Sequence, residues 1–273
     1  METIAAATNR GILRADAGMK RFSLTRYAPS PELAYFVKHY WVVRWDLRGQ
    51  APYRQVNLPF PNLNLAFERE SSGKYAGVYG ISSESSFRIL RGEGRVLGVK
   101  FQPGGFYPYF RQPISKLADT RIGFDEAFGV QPDALEADIF ARDDGADMAQ
   151  IADRFLLSRV PDRDPNVGLA TAIVQAVIDD RDLTKVDRLA ERFGLHMRTM
   201  QRLFSCYVGV SPKWVIQRFR LQEAADRMER GEATDWPKLS QDLGFYDQSH
   251  FIKCFKAMIG RSPEAYLEEI REP

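Results

Sequence analysis

Arg198, Gln201 and Arg202 stand at i, i+3 and i+4, a spacing that puts all three side chains on one face of a helix. Forked guanidinium and amide groups match the edges of guanine and adenine in a DNA major groove, where one good bidentate pair discriminates by about 1 to 3 kcal/mol. A second polar group of the same character follows later in the chain, in Asp247, Gln248, Ser249, His250 and Lys253, with Lys256 beyond them. Other chemistries have few residues to work with. The three histidines, His39, His196 and His250, and the two cysteines, Cys206 and Cys254, show no paired metal-ligand spacing, whereas a zinc site needs three or four such ligands together. There is no GxSxG, no phosphate-binding glycine loop and no Cys/His nucleophile arrangement. No catalytic residue, metal or cofactor is assigned, and an enzyme is not expected.

The two polar groups need helices to carry them, and an internal repeat supplies these. Leu189-Ala190 through Phe193-Gly194 matches Leu239-Ser240 through Leu243-Gly244; then Met200 matches Phe251, Phe204 matches Phe255, and Gly209-Val-Ser211-Pro212 matches Gly260-Arg-Ser262-Pro263. Each unit reads as a short helix, a turn opening at glycine, a second helix and a Gly-x-Ser-Pro turn, with Ser as cap and Pro at the first helical position. Apolar residues at Leu189, Phe193, Met200, Leu203 and Phe204, and at Leu239, Leu243, Phe251 and Phe255, would pack the two helices of each unit and leave the polar groups outward. Lys213 to Glu229 reads as one long amphipathic helix between the units, with Trp214, Leu221 and Met228 at heptad spacing beside Val215 and Phe219. Arg192 to Gln222 has no acidic residue and holds Arg192, Arg198, Arg202, Lys213, Arg218 and Arg220, a candidate phosphate-binding surface.

These residues resemble the AraC/XylS family of transcription regulators. The likeness runs through Leu189-Ala190, Gly194, Arg198, Met200 to Phe204, Gly209 to Pro212, Arg220-Leu221, Ala224, Leu243-Gly244-Phe245, Asp247 to Phe251, Phe255-Lys256, Gly260 to Pro263 and Tyr266. It covers roughly the last hundred residues and implies DNA binding through two helix-turn-helix units joined by a long helix. Two positions depart from the pattern. His196-Met197 replaces the usual Ser and small residue at the start of the first recognition helix, weakening its cap; Lys253 replaces Arg, exchanging a fork for a point charge better suited to phosphate than to a base. Cys254 matches Leu203 in the repeat and reads as an inert packing thiol.

The front half has a different texture. Tyr35 to Trp45 alternates, with Tyr35, Val37, His39, Trp41, Val43 and Trp45 on one face; Asn62 to Glu68 places Leu63, Leu65 and Phe67 inward, and Lys74 to Ile81 places Tyr75, Tyr79 and Ile81 inward. A further strand, Arg95 to Phe101, ends at the turn Pro103-Gly104-Gly105. Pro132 to Arg142 and Ala146 to Arg159 read as a helical hairpin. Its stripe of Met148, Ile151, Ala152, Phe155 and Leu156 either pairs with a second copy or packs on its own domain. Val99 to Gly105, Pro113 to Asp119 and Phe124 to Gly129 resemble the cupin-like domains that precede such DNA-binding modules, which implies effector sensing or dimerisation.

The fold expected is α+β: an N-terminal β-rich cupin-like sandwich or barrel with a helical hairpin, then an all-α C-terminal domain of two helix-turn-helix units joined by a long helix. The length of 273 residues suits two domains, with the seam at Pro161 to Pro165. That gives residues 1–160 as a sensor or dimerisation domain with the hairpin at 131–160, and 165–273 as the DNA-binding domain with units at 183–204 and 237–256. The net charge of +2 hides an uneven distribution, since residues 1 to 130 carry 18 Lys/Arg against 11 Asp/Glu and residues 131 to 164 carry 4 against 9. No apolar stretch approaches the roughly 18 residues of a membrane span and the N-terminus has no signal-peptide core, so a cytoplasmic protein is expected.

The function expected is sequence-specific regulation of transcription, with two recognition helices entering successive major grooves. Its expected partners are double-stranded operator DNA and RNA polymerase, and an activator is one expected role, with repression left open. The front domain would exert control through an effector or through a homodimer. Tyr35, His39, Trp41, Phe67 and Tyr79 would line a pocket for a small apolar or aromatic effector, although each taken singly reads as core. Two alternatives stay open: an enzyme or DNA-repair protein that uses the same module for targeting, and a regulator without a ligand, controlled by protein contacts.

Overall fold

The structure, a computed structural model, describes residues 1–4, 18–232 and 235–271. Among the described residues, eight strands build the front half: β1 (Ser23–Tyr27), β2 (Val37–Leu47), β3 (Tyr53–Asn57), β4 (Asn64–Glu70), β5 (Gly73–Tyr79), β6 (Ser86–Leu90), β7 (Gly92–Phe101) and β8 (Arg121–Gly123). Six form an antiparallel sheet in the order β1-β2-β7-β4-β5-β8, and β3 pairs with β6 in a second, two-stranded sheet. Register decides which side chains share a face. One row across the large sheet is Tyr27, Tyr40, Val99, Leu65 and Val78, all buried in the main core. The adjacent row, His39, Lys100, Asn64 and Tyr79, points to the opposite side.

The helices α1 (Tyr107–Phe110), α2 (Phe124–Phe128), α3 (Asp133–Phe140) and α4 (Gly145–Leu157), with a 3-10 turn at Ile114–Leu117, pack with these strands. The Asp144 carboxylate caps α4 by accepting from the Ala146 and Asp147 amides at 2.6 and 3.2 Å. Met148, Ile151, Ala152 and Leu156 are buried in the main cluster and Phe155 packs beside them on Phe124 and Phe128. The stripe thus covers its own sheet, which settles the alternative left open above against pairing through that face. Buried Asp153 fixes the contact, accepting from Tyr40 Oη at 2.9 Å and the Ser30 amide at 3.0 Å; a buried carboxylate is tolerated when such donors satisfy it.

Two inward assignments need correction. The backbone bulges between Val37 and His39, so Val37, Tyr40 and Val42 face the main core, whereas Trp41, Val43 and Trp45 face β3 and β6 and pack there with Phe22, Leu90 and Val96. A one-residue bulge reverses the facing of everything after it. On β5 the main core takes Val78, and Tyr75 and Tyr79 stack edge to face on the other side. Both sides of this sheet are covered, so alternation of apolar residues could not identify the core side.

The rest of the chain is helical: α5 (Pro165–Asp179), α6 (Val186–Arg192), α7 (Met197–Leu203) running into a wide turn at Phe204–Val208, α8 (Pro212–Glu229), α9 (Trp236–Asp242), α10 (Gln248–Ile259) and α11 (Pro263–Arg271). The Pro161 to Pro165 segment breaks the secondary structure without breaking the packing. Asp164 caps α5 through the Asn166 amide, its carbonyl accepts from Tyr35 Oη at 2.6 Å and its carboxylate from Tyr207 Oη at 2.6 Å. One hydrophobic cluster continues from Tyr27 through α5 to Leu189, Met200, Phe204, Val215 and Phe219. A second, built from Leu221, Met228, Leu239, Leu243, Phe251, Phe255 and Tyr266, also takes Leu58 from the front half.

Candidate nucleic-acid interface

Helices α6 and α7 meet at Gly194, whose φ of +63° is the left-handed turn that glycine adopts without strain; α9 and α10 meet at Gly244 with φ +75°. Leu189, Met200, Leu203 and Phe204 fill the inside of the first unit, with Phe193 packed at its edge, and Leu239, Leu243, Phe251 and Phe255 fill the second. Ser211 accepts from the Trp214 amide at 3.1 Å and Ser262 from the Ala265 amide at 3.2 Å, the two matching caps of the repeat. Helix α8 lies between the units, giving Val215 and Phe219 to the first cluster and Leu221, Ala224 and Met228 to the second.

The starts of the two recognition helices differ. His196 gives α7 no side-chain cap, whereas Asp247 caps α10 by accepting from the His250 amide at 2.7 Å. Asp247 therefore spends one carboxylate oxygen holding the helix start. Arg198, Gln201 and Arg202 are exposed on α7 and, with His196 and Thr199, line an open groove. Thr199, three before Arg202, lies on the same face, a position that helical spacing alone marks. On α10 Ser249, Lys253 and Lys256 are exposed, Gln248 is half-buried, and His250 lies edge-on to Phe245 with ring centroids 5.7 Å apart. Tyr246, in the turn that leads into α10, is 92% exposed.

The expected basic surface is smaller than the sequence suggested. Arg218 and Arg220 are buried: Arg218 Nε donates to Pro59 O at 2.6 Å, and Arg220 Nη2 donates to the carbonyls of Val177 and Asp180 at 2.8 Å each. They fasten α8 to the front half and to the end of α5. Arg192 pairs with Asp180 at 2.6 Å. Besides the paired Arg192, the exposed cations of the stretch are Arg198, Arg202 and Lys213, and Lys253 and Lys256 on α10 are exposed as well. Cys254 and Cys206 are half-buried, and burial raises the Cys254 thiol.

The five residues expected to line one effector pocket do not come together. Phe67 is sealed in the main core against Phe124. Tyr35 sits at the start of α5, donating to Asp164 O and accepting from the Gly168 amide at 3.1 Å. His39, Trp41 and Tyr79 do share the far face of the large sheet, where Trp41 lies flat over Gly98. The division follows from strand parity, since Phe67 alternates with the face that carries Asn64 and Glu68. Burial and the neighbouring Lys100, Arg26 and Lys38 cations push the His39 imidazole down to about 3. Among the described residues no group of three His, Cys, Asp or Glu is placed to hold a metal, and no helix is long and apolar enough to cross a membrane.

A family model described as "Helix-turn-helix domain" matches residues 189–269, and one described as "Domain of unknown function (DUF6597)" matches residues 25–123. Among curated relatives, the HTH-type transcriptional activator RhaS of Pectobacterium carotovorum subsp. carotovorum (strain PC1) is 30% identical over 77 residues, 28% of this chain and 27% of its own. The transcriptional activator NphR of Rhodococcus sp is 32% identical over 97 residues, 36% of this chain and 28% of its own. The chain thus spans little more than a quarter of the length of the curated relatives it matches. Of solved structures, ToxT from Vibrio cholerae aligns over 91% of this chain and 98% of its own at 13% identity and a TM-score of 0.39. Residues 189–269 are thus a helix-turn-helix domain of the AraC type, carried behind a β-rich part whose residues 25–123 match the DUF6597 model.

Proposed function

We propose that the chain is a sequence-specific DNA-binding transcription regulator that places α7 and α10 in successive major grooves, about 34 Å apart on one side of the duplex. The observation that carries this reading is the doubling: two units with the same buried glycine-turned core each expose a polar recognition face, and one continuous helix, α8, packs against both. Arg198, Gln201, Arg202 and Gln248 have the forked groups for base edges; Ser249, Lys253 and Lys256 suit phosphates. Asp247 and His250 hold the start of α10. The activators among the relatives favour activation through contact with RNA polymerase, in the cytoplasm where the promoter is. No catalytic step is part of this reading.

Control through the front half is the second part of the proposal. Tyr35, Asp164, Tyr207 and Arg218 bind it to the DNA-binding part, so a ligand or a second copy of the chain on the front half has a route to the recognition helices. Genomic footprinting of the purified protein at physiological salt, beside the double variant Gln201→Ala, Gln248→Ala, tests the reading. A motif of two sub-sites one helical turn apart, lost in the variant, is the expected result. Binding without a motif and unaffected by the variant would refute sequence-specific regulation.

A further inference from the structure

The two helix-turn-helix units are unequal at their turns, and matching backbone bonds fix where they part. Before the recognition helices, Leu195 N donates to Ala190 O and Phe245 N to Ser240 O, each at 2.9 Å. Inside those helices, Met200 N donates to His196 O and Phe251 N to Asp247 O, each at 3.0 Å. Leu195 therefore corresponds to Phe245 and His196 to Asp247, which leaves Tyr246 in the second turn with no counterpart in the first. Its two neighbours are both engaged: Phe245 is buried in the second cluster, edge to face with Phe251 at 5.3 Å between ring centroids, and Asp247 caps α10. Tyr246 is 92% exposed, more than any other large apolar side chain among the described residues, Phe87 following at 55%. Its side chain makes no hydrogen bond or ring contact among those residues. The turn itself does not require it, since the first unit reverses at Gly194 with one residue fewer. A lone aromatic on a protein surface is ordinary. This one is added next to the start of a recognition helix, the end whose residues meet base edges in the major groove.

We propose that Tyr246 is a specificity-determining residue, its ring covering the 5-methyl group of a thymine in the sub-site of α10. The proposal rests on the DNA-binding reading and extends it by one base pair. Thymine follows from the chemistry of the groove, where its methyl is the apolar group among the donors and acceptors of the base edges. A ring left in water by the free protein gains by covering that methyl. Asp247 is committed to the helix start, and Ser249, Lys253 and Lys256 suit the phosphates, so the apolar contact falls to Tyr246. In the first unit the half-buried Leu195, packed on the main cluster, is followed directly by His196. The two sub-sites are therefore read unequally, and the additional thymine belongs to that of α10 alone.

The test titrates the full chain with the operator found by footprinting, in which each thymine in turn is replaced by deoxyuridine, a base that pairs alike and lacks only the methyl. The footprints of Gln201→Ala and Gln248→Ala mark which sub-site belongs to which helix. For the wild type, deoxyuridine at one position of the α10 sub-site should weaken binding about fourfold, the effect of one buried methyl. Tyr246→Ala should weaken binding to the unsubstituted operator about tenfold and should bind the thymine and deoxyuridine forms equally. Tyr246→Phe should keep both the affinity and the sensitivity to the methyl. Because the side chain is exposed, both variants should melt with the wild type, so that a loss of binding is not a loss of fold. Unchanged affinity in Tyr246→Ala, or deoxyuridine sensitivity that persists in that variant, would overturn the contact. A loss in Tyr246→Phe equal to that in Tyr246→Ala would overturn it too, by placing the hydroxyl on a phosphate. Failure of the underlying reading looks different: no operator motif is then found, Gln201→Ala and Gln248→Ala leave binding unchanged, and the proposal falls with it.

Discussion

At the scale of single residues, exposure separates side chains that look alike in the sequence. Arg198 and Arg202 face solvent, whereas Arg218 and Arg220 are buried on carbonyl oxygens of Pro59, Val177 and Asp180. Helical spacing made the first pair legible. The second pair was not, because its partners are backbone groups distant in sequence that no residue type announces. Gln201→Ala should therefore relax discrimination at one base position by about 1 to 3 kcal/mol, while Lys253→Met should weaken all sequences alike and lower the salt slope by about one; competition binding at two salt concentrations separates them. The lowered Lys100 ammonium makes a prediction about pH. Lys100 falls from 10.5 to about 7 on folding, through burial and the charges of Lys38, Arg218 and Arg26, so between those values the unfolded chain binds more protons and stability rises with pH. Lys100→Met should be more stable than wild type at pH 7, by a margin that narrows at pH 9 in urea titrations. His39, lowered from 6.5 to about 3, acts in the same direction at lower pH. Its contribution is intact above pH 6.5 and is lost as the pH falls towards 3.

Elements carry the next level of information, and there the helices were easier to read than the strands. The repeat gave both helix-turn-helix units because each needs an apolar inside, a glycine turn and a capped exit, all of them local signals. The strands β1, β3, β6 and β8 were passed over, and the sides of β2 and β5 were misjudged, because both surfaces of the large sheet are covered and the bulge after Val37 leaves no mark in the sequence. The unequal starts of the recognition helices give a matched pair of variants. His196→Ser should supply the missing cap and stabilise by about 1 kcal/mol, and Asp247→Ala should remove an existing one at a similar cost. Amide exchange in α7 and in α10 respectively should slow and quicken, and equal effects on both helices would show that the change is not local. Gly244→Ala should cost more than either, because φ is +75° and the added methyl would lie 2.5 Å from Cβ of Thr184. That contact also shows why the turn of the second unit is tight: it abuts the segment leading into the first.

For the whole molecule, the two halves expected from the Pro161 to Pro165 segment are continuous in packing. The main cluster runs from the sheet through α5 into the first unit, and the second unit has a cluster of its own reached through α8. The sequence could show where the secondary structure changes but not that Tyr35 and Tyr207 both donate to Asp164, one to its carbonyl and one to its carboxylate. The arrangement bears directly on DNA spacing. Helix α8 is unbroken from Pro212 to Glu229 and is pinned at both ends, by Val215 and Phe219 in one cluster and Leu221, Ala224 and Met228 in the other, with Arg218 and Arg220 fastened between them. Recognition helices mounted on such a spacer should accept one separation of sub-sites. Inserting about 5 bp turns the second sub-site to the far side of the duplex, and inserting about 10 bp restores its side but moves it about 34 Å further along. Both insertions should reduce affinity to that of a single unit, about a hundredfold or more. A flexible spacer would instead recover most of the loss at 10 bp, so binding measured across the insertion series distinguishes a rigid α8 from a hinged one.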